Sequence, residues 1–385
     1  MKPFLKQVLK NVKPEKQEQE KINRIFKQIS QEIKKHLPNT QPFLGGSTAK
    51  NTRLKDNKEI DIFLKHPLKT KNISEKTIKA LKKYAPETIK ASRDYASFTL
   101  KNFKIETIPV YKIENTNQAE NIMDCSPFHV EYVKTHLKHS EQAMLLKHFC
   151  KQNGLYGAES YHQGLSGYSI ELLTIHYKKF ENVISNAAKW NKRKKIVLKQ
   201  EQPLKKSQKT ALIIVDPVQN SRNASNALSE EKFKKLVRIS KEYTKKPSKN
   251  FFTNKNTTEY YKSLMNKKEI FYSKKFVIKG KNDIFLAKLN KKLGRISSEL
   301  IQLGFSNKHG LIPEENTFFF IIPKKIPKQI IHKGPETRMT EHCEKFREKW
   351  VSKKVFEKKK RLYVELEREI TNGKEAIVKL VSSFL

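Results

Sequence analysis

Apolar residues recur every three to four positions across residues 15–36, at Ile22, Ile25, Phe26, Ile29 and Ile33, with lysines on the opposite face. That period predicts an amphipathic helix, ended by Pro38 and Asn39. Pro42, Phe43 and Leu44 read as a short strand running into Gly45, Gly46 and Ser47, and Ser47 suits the cap of a following turn of helix. The pattern switches to alternation over 58–64 (KEIDIFL), which predicts a strand. Helix is expected over 72–90 and a hairpin of two strands over 96–111. From Ser140 the pattern is helical again: Ala143, Leu146, Phe149 and Cys150 share a face, between Ser140 as N-cap and Gly154 as C-cap. Further helices are expected over about 166–177, 179–190 and 229–245, with a buried strand over 211–215 that ends in Asp216 and Pro217. The polar stretch 247–256 reads as a linker. Beyond it, strand over 269–278, helix over 283–303 and strand over 317–322 suit a small α+β domain. Residues 340–385 read as mostly helical, and no internal repeat is visible.

Composition narrows the function. The chain has 385 residues, a length that predicts about two to four domains. Its 22 Phe and 13 Tyr can build cores. No apolar run approaches the roughly 18–20 residues that cross a bilayer, and the first sixteen residues, MKPFLKQVLKNVKPEK, lack the apolar core of a signal peptide. Cys125, Cys150 and Cys343 form no CxxC pair, which argues against a disulfide framework or structural zinc and for a reducing, cytoplasmic setting. The 80 Lys+Arg against 39 Asp+Glu leave a net charge of +41. Such a surplus costs self-repulsion unless a polyanion offsets it, and nucleic acid is the usual partner. A lysine-rich genome or a high-temperature proteome would raise lysine too.

The candidate chemistry begins twelve residues after Ser47, at Glu59, Ile60 and Asp61. On a strand, Glu59 and Asp61 point the same way, about 7 Å apart. Beside a glycine-rich turn they suit the holding of Mg²⁺ on a nucleoside triphosphate, with the Gly45–Gly46 backbone and the Ser47 hydroxyl near the phosphates. A two-metal scheme needs a third carboxylate on a neighbouring strand. Glu106, in FKIETIPVY, is the candidate, and its strand is expected to pair near 59–64. The plainer alternative makes Glu59 and Asp61 solvated residues of an edge strand.

The GGS…E-x-D arrangement resembles the signature of the DNA polymerase β-like nucleotidyltransferase superfamily. More specifically, FLGGSTAKNTRLKDNKEIDIFL, IETIPVYKI, SPFHVEYV, LLKHFCKQNGLYGAESYHQGLSGYSIELL and VDPVQNSRNAS resemble, in order, the archaeal (class I) CCA-adding enzymes. These build the CCA end of tRNA from CTP and ATP without a nucleic-acid template. The resemblance is strong over about 15–260 and weaker over 261–350. It implies Glu59, Asp61 and Glu106 as catalytic metal ligands for Mg²⁺. It implies nucleotide contacts at Gly46, Ser47, Lys50, His129, Lys147 and Tyr156, and base recognition by Arg222. On their residues alone, His129 and Tyr156 could equally be core groups, Lys147 a solvated helix flank, and Arg222 an ion-pair partner of Asp216. The family pattern is departed from at Glu106, where it carries Asp, and at Lys50, where it carries Arg. The C-terminal region also looks shortened by several tens of residues.

The fold expected is α+β, with a polymerase β-like nucleotidyltransferase head (a mixed sheet with helices) over 1–135 and a helical neck over 136–250. An α+β body over 251–335 and a mainly helical tail over 336–385 complete it. Expected partners are tRNA, through acceptor stem and elbow, with CTP and ATP as substrates and no membrane; a homodimer is left open. Two alternatives stand beside this reading. One is a terminal adenylyltransferase of other RNAs. The other is an RNA-binding protein with a weakened transferase site.

Overall fold

The computed structural model describes residues 2–191, 193–255, 257–279 and 282–385. Lys192, in the basic stretch 189–209, and Asn256, at the end of the polar linker, lie outside the described residues. The chain forms two compact units, Met1–Asn254 and Lys255–Leu385, and the division falls inside the polar stretch 247–256.

The first unit runs α1 (Pro3–Val12), α2 (Lys16–His36), β1 (Gln41–Leu44), α3 (Gly46–Ala49), β2 (Glu59–His66), α4 (Ile73–Ala80), β3 (Glu87–Ile89), β4 (Tyr95–Leu100) and β5 (Phe103–Tyr111). It continues through α5 (Ser126–His136), α6 (Ser140–Gln152), α7 (Gly167–Tyr177), α8 (Phe180–Ala187), β6 (Lys194–Val197), β7 (Leu212–Val215) and α9 (Glu230–Lys245). The main sheet has the order β1-β2-β5-β4-β3. β2 and β5 are parallel and the other neighbours antiparallel, so the sheet is mixed, as expected.

One face of that sheet is held by α2. Its Ile22, Ile25, Ile29 and Ile33 are fully buried against Ile60, Ile62, Leu64 and Ile105. Each such side chain stabilises the fold by about 2 kcal/mol. Because side chains alternate along a strand, burying Ile60, Ile62 and Leu64 forces Glu59, Asp61 and Phe63 to the other face. There Phe63 packs with Ile108 and with Val130 of α5, which leaves Glu59 and Asp61 at the open end of β2.

A second core joins α1 to the helices α6–α9. Phe149 meets Phe180 and Tyr243 edge-on, with centroids 5.5 and 5.7 Å apart. In α7 every residue from Ser169 to Ile175 is buried, and one of them is Glu171.

Several local expectations change. The helix expected over 72–90 stops at Ala80, and Glu87–Ile89 is an edge strand. Ala85 adopts a left-handed φ of 47°, and Pro86 has no N–H to continue a helix. The cap of α3 is Gly45, and Ser47 lies inside the turn. His139 occupies the N-cap position of α6 and Asn153 its C-cap position, with Gly154 just beyond at φ 62°.

The second unit runs α10 (Thr258–Ser263), β8 (Glu269–Lys275), α11 (Asn282–Gln302), β9 (Lys308–Ile312), β10 (Thr317–Pro323), β11 (Gln329–Glu336), α12 (Thr340–Lys349), β12 (Val355–Glu357), β13 (Arg361–Glu367) and α13 (Gly373–Phe384). β10 is the centre of an antiparallel β8-β10-β9 sheet. Phe318, Phe320 and Ile322 pack on α11 and α13, while Tyr261 of α10 stacks on Phe319 at 4.1 Å. The stretch 340–385 carries α12 and α13 and also, between them, β12 and β13, which join β11 in a second antiparallel sheet. Leu362 and Val364 are the buried positions of β13. Charged residues around them hide this alternation in the sequence. Among the described residues no helix is long and apolar enough to cross a membrane.

Candidate active site

The Gly45 N–H donates to the Asp61 carbonyl at 2.7 Å, which fixes the β1–α3 turn over β2. A Cβ on Gly46 would lie 1.7 Å from Asp61 Oδ2, and one on Gly45 would lie 2.4 Å from the Phe63 ring. Gly46 also has a left-handed φ of 57°, which glycine adopts without strain. The two glycines are thus required by the two β2 residues that face them. Ser47 is half-buried in the same turn.

The pairing expected between the strands is present. Asp61 stands opposite Glu106, and Glu59 opposite Lys104. Burial first, then the charges of Glu106 and Glu59, push the Asp61 carboxyl up to about 6. Lys104 Nζ donates to Glu106 Oε1 at 2.6 Å and lies 3.4 Å from Glu59 Oε1. Among the described residues, no three His, Cys, Asp or Glu side chains form a group able to hold a metal as they stand, and Glu59 and Glu106 both engage Lys104. The donor chemistry nonetheless fits a divalent cation. Three carboxylates share one face, their mutual repulsion is felt at Asp61, and hard oxygen ligands are what Mg²⁺ takes. Glu59, Asp61 and Glu106 are the residues that could hold it.

Two further cations, Lys50 and Lys147, are close enough to Asp61 for their charges to be felt. Lys50 and Lys147 are enclosed, with side chains 9% and 3% exposed, and both gather on the fully buried Glu171. Lys50 Nζ donates to Glu171 Oε2 at 2.6 Å, and the Thr52 hydroxyl donates to Oε1 at 2.5 Å. Lys147 Nζ lies 3.8 Å from Oε1 and donates to the Thr52 carbonyl at 2.9 Å. Lys147 is therefore no solvated helix flank. Burial lowers its ammonium to about 8 against the opposing pull of Glu171. Tyr156 is its neighbour: a Cβ on Gly167 would lie 3.6 Å from the Tyr156 hydroxyl and 3.7 Å from Lys147 Nζ. Burial, and then Glu171, raise the Tyr156 hydroxyl well above its ordinary value.

His129 and Arg222, separate in sequence, meet on Asp216. His129 Nε2 lies 3.1 Å from Asp216 Oδ2, and Arg222 Nη1 lies 2.7 Å from the same oxygen. The Tyr168 hydroxyl donates to Oδ1 at 2.9 Å. Burial of Asp216 would raise its carboxyl; the neighbouring His129 and Arg222 overcome this and hold it at about 2. The Tyr168 ring lies 4.5 Å from that of His129 and 5.9 Å from Lys50 Nζ, so the two clusters adjoin.

Lys104, Thr52 and Glu171 belong to the site without having been expected from the sequence. Nothing in their spacing marks the first two. Glu171 does leave a signal, as a lone carboxylate inside the apolar helical run SIELLTI.

The tRNA nucleotidyltransferase second-domain family matches residues 141–253, and the CCA-adding enzyme C-terminal domain matches residues 270–384. The CCA-adding enzyme of Nanoarchaeum equitans is 32% identical over 370 residues, covering 90% of this chain and 88% of that protein. The one from Methanosarcina acetivorans is 29% identical and covers 89% and 80%. Two solved structures share the fold. A cytoplasmic RNA terminal U-transferase aligns with a TM-score of 0.50 and 13% identity over 65% of this chain and 97% of that one. Cid1 in complex with its short product ApU aligns with a TM-score of 0.51 and 14% identity over 65% and 97%. With near-full-length similarity to the archaeal proteins, both family matches and the carboxylate face of a nucleotidyltransferase fold, this chain belongs to the CCA-adding enzyme family.

Proposed function

We propose that this chain adds C, C and then A to the 3′-end of tRNA in the cytoplasm, taking CTP and ATP and releasing pyrophosphate, without a nucleic-acid template. The observation that carries the reading is the register of β2 and β5, which sets Asp61 against Glu106 with Glu59 on the same face. Glu59, Asp61 and Glu106 would hold Mg²⁺. Bound there, Mg²⁺ supplies Lewis-acid activation of the tRNA 3′-hydroxyl and screens the triphosphate.

The remaining groups sort by charge. Lys50 and Lys147 take the triphosphate and offset the charge that builds on pyrophosphate as the 3′-oxygen attacks the α-phosphorus. Ser47 and Tyr156 add hydroxyls at the same end, and Gly46 lets the turn approach. Arg222 and His129, anchored on Asp216, address the base. A guanidinium offers fixed donors to a Watson–Crick edge. We assign 1–135 as the head, 136–250 as the neck, 251–335 as the body and 336–385 as the tail, with the basic second half gripping the tRNA elbow through backbone and shape.

Replacing Asp61 with Ala tests this. Transfer to tRNA should be lost while tRNA binding, followed by filter retention, stays at the level of the parent protein. Retained transfer would contradict the assignment.

A further inference from the structure

We propose that Glu171 is a positioning residue for nucleotide binding: its buried carboxylate sets Lys50 and Lys147 side by side as a ready-made cradle for the triphosphate. The inference rests on the reading of those two lysines as triphosphate contacts.

Glu171 sits where an apolar residue would be expected. Every residue of α7 from Ser169 to Ile175 is buried, and Ile170, Leu172, Leu173 and Ile175 fill the surrounding core. A carboxylate there costs several kcal/mol of desolvation unless cations and hydrogen bonds answer it. The answers come from two other parts of the fold. Lys50 and Thr52 arrive from the segment after α3, and Lys147 from α6. One side chain therefore ties the end of the glycine-rich turn to the helical core.

The charge count favours an anion. Two ammonium groups around one carboxylate leave one positive charge in a nearly dry site, where electrostatic interactions gain strength. Without the Glu171 charge the two cations would have no anion between them. The groups facing Lys147 are Glu171 and Tyr156, Lys50 from beyond α3, and Asp61 from β2. Lys50 disfavours the Lys147 ammonium, whereas Glu171 and Asp61 favour it. Each ammonium carries three N–H donors. Those not spent on Glu171 and Thr52 remain for phosphate oxygens.

The test is equilibrium binding of ATP and of AMP to the full chain between pH 6.5 and 9.5, for the parent protein, Glu171→Gln, Lys147→Met and Lys50→Met, with thermal melts of each. Glu171→Gln keeps the shape and removes the charge. It should weaken ATP about tenfold at pH 7, leave AMP, which lacks the outer phosphates, within about twofold, and move the alkaline fall of ATP affinity to lower pH. Glu171→Asp keeps the charge and serves if the Gln variant does not fold. It should weaken ATP while leaving the alkaline fall where the parent protein has it. ATP affinity and pH profile unchanged in folded Glu171→Gln, with Lys147→Met weakened, would overturn the inference and spare the triphosphate reading. If Lys147→Met and Lys50→Met also bind ATP like the parent protein, both fall.

Discussion

Asp61 and Glu106 stand directly opposite each other on the parallel strands β2 and β5. Glu106 also accepts from Lys104 Nζ, two residues earlier on β5, at 2.6 Å. If Glu106 serves as a metal ligand, its charge is indispensable and its length adjustable. Glu106→Gln should lower transfer by on the order of a hundredfold or more, while Glu106→Asp stays within about tenfold of the parent protein. Steady-state transfer of CMP to tRNA measures both. Equal losses in the two variants would show that the site needs the length of Glu106 as much as its charge.

Gly46 is constrained twice, by its φ of 57° and by Asp61 Oδ2, which a Cβ would approach to 1.7 Å. Gly46→Ala should cost roughly 1–2 kcal/mol of stability through the left-handed backbone. It should also displace the Asp61 carboxylate, so transfer falls by more than about a hundredfold while tRNA binding is kept. Near-parental transfer by Gly46→Ala would mean that the turn is not held against Asp61 during the reaction.

Much of this arrangement was legible in the sequence because it follows from short-range pattern. The isoleucine period of α2, the alternation of β2 and the double glycine each constrain a few neighbouring residues, and together they put Glu59 and Asp61 on one face. What was not legible depends on long-range meeting. Lys50 and Lys147 converge only because Glu171 comes from a third segment, and His129 joins Arg222 only through Asp216. Lysine is common along this chain, so Lys104 did not stand out and Lys147 was marked only by the family resemblance. The strands β12 and β13 were hidden by charges on their exposed positions, and β3 by helix-compatible residues ahead of Pro86.

The shared anchor of His129 and Arg222 has a consequence for base choice. Asp216→Asn keeps the Oδ1 acceptor shared by the Tyr168 hydroxyl and the Val218 N–H but removes the charge and the Oδ2 acceptor that hold the Arg222 guanidinium. The preference for CTP and ATP over UTP and GTP, read as a ratio of kcat/KM values, should fall by about tenfold, with less effect on triphosphate affinity. An unchanged ratio would separate Arg222 from base selection.

Stability should fall on the acid side through His66. Its ring is 1% exposed and lies 3.1 Å from the Thr40 hydroxyl and 3.0 Å from that of Thr77. Burial first, then Lys76 and Arg93, lower it to about 4 from 6.5. Below pH 6.5 the unfolded chain therefore gains a proton that the folded chain refuses. The stabilising contribution is complete above pH 6.5 and is lost as pH falls towards 4, by about 2 kcal/mol at pH 5. Urea unfolding at pH 7.5 and pH 5 measures it. His66→Gln should reduce the difference, with His162, also lowered to about 4 by burial, accounting for part of what remains. An undiminished difference in His66→Gln would place the acid sensitivity elsewhere.

The most direct measurement is stepwise extension of a tRNA transcript that ends at its discriminator base, with Mg²⁺ and CTP alone, ATP alone, or both. Two additions with CTP and a third only when ATP is also present are what this account predicts. Repeated addition of A without CTP, or no extension of a tRNA that binds tightly, would contradict it.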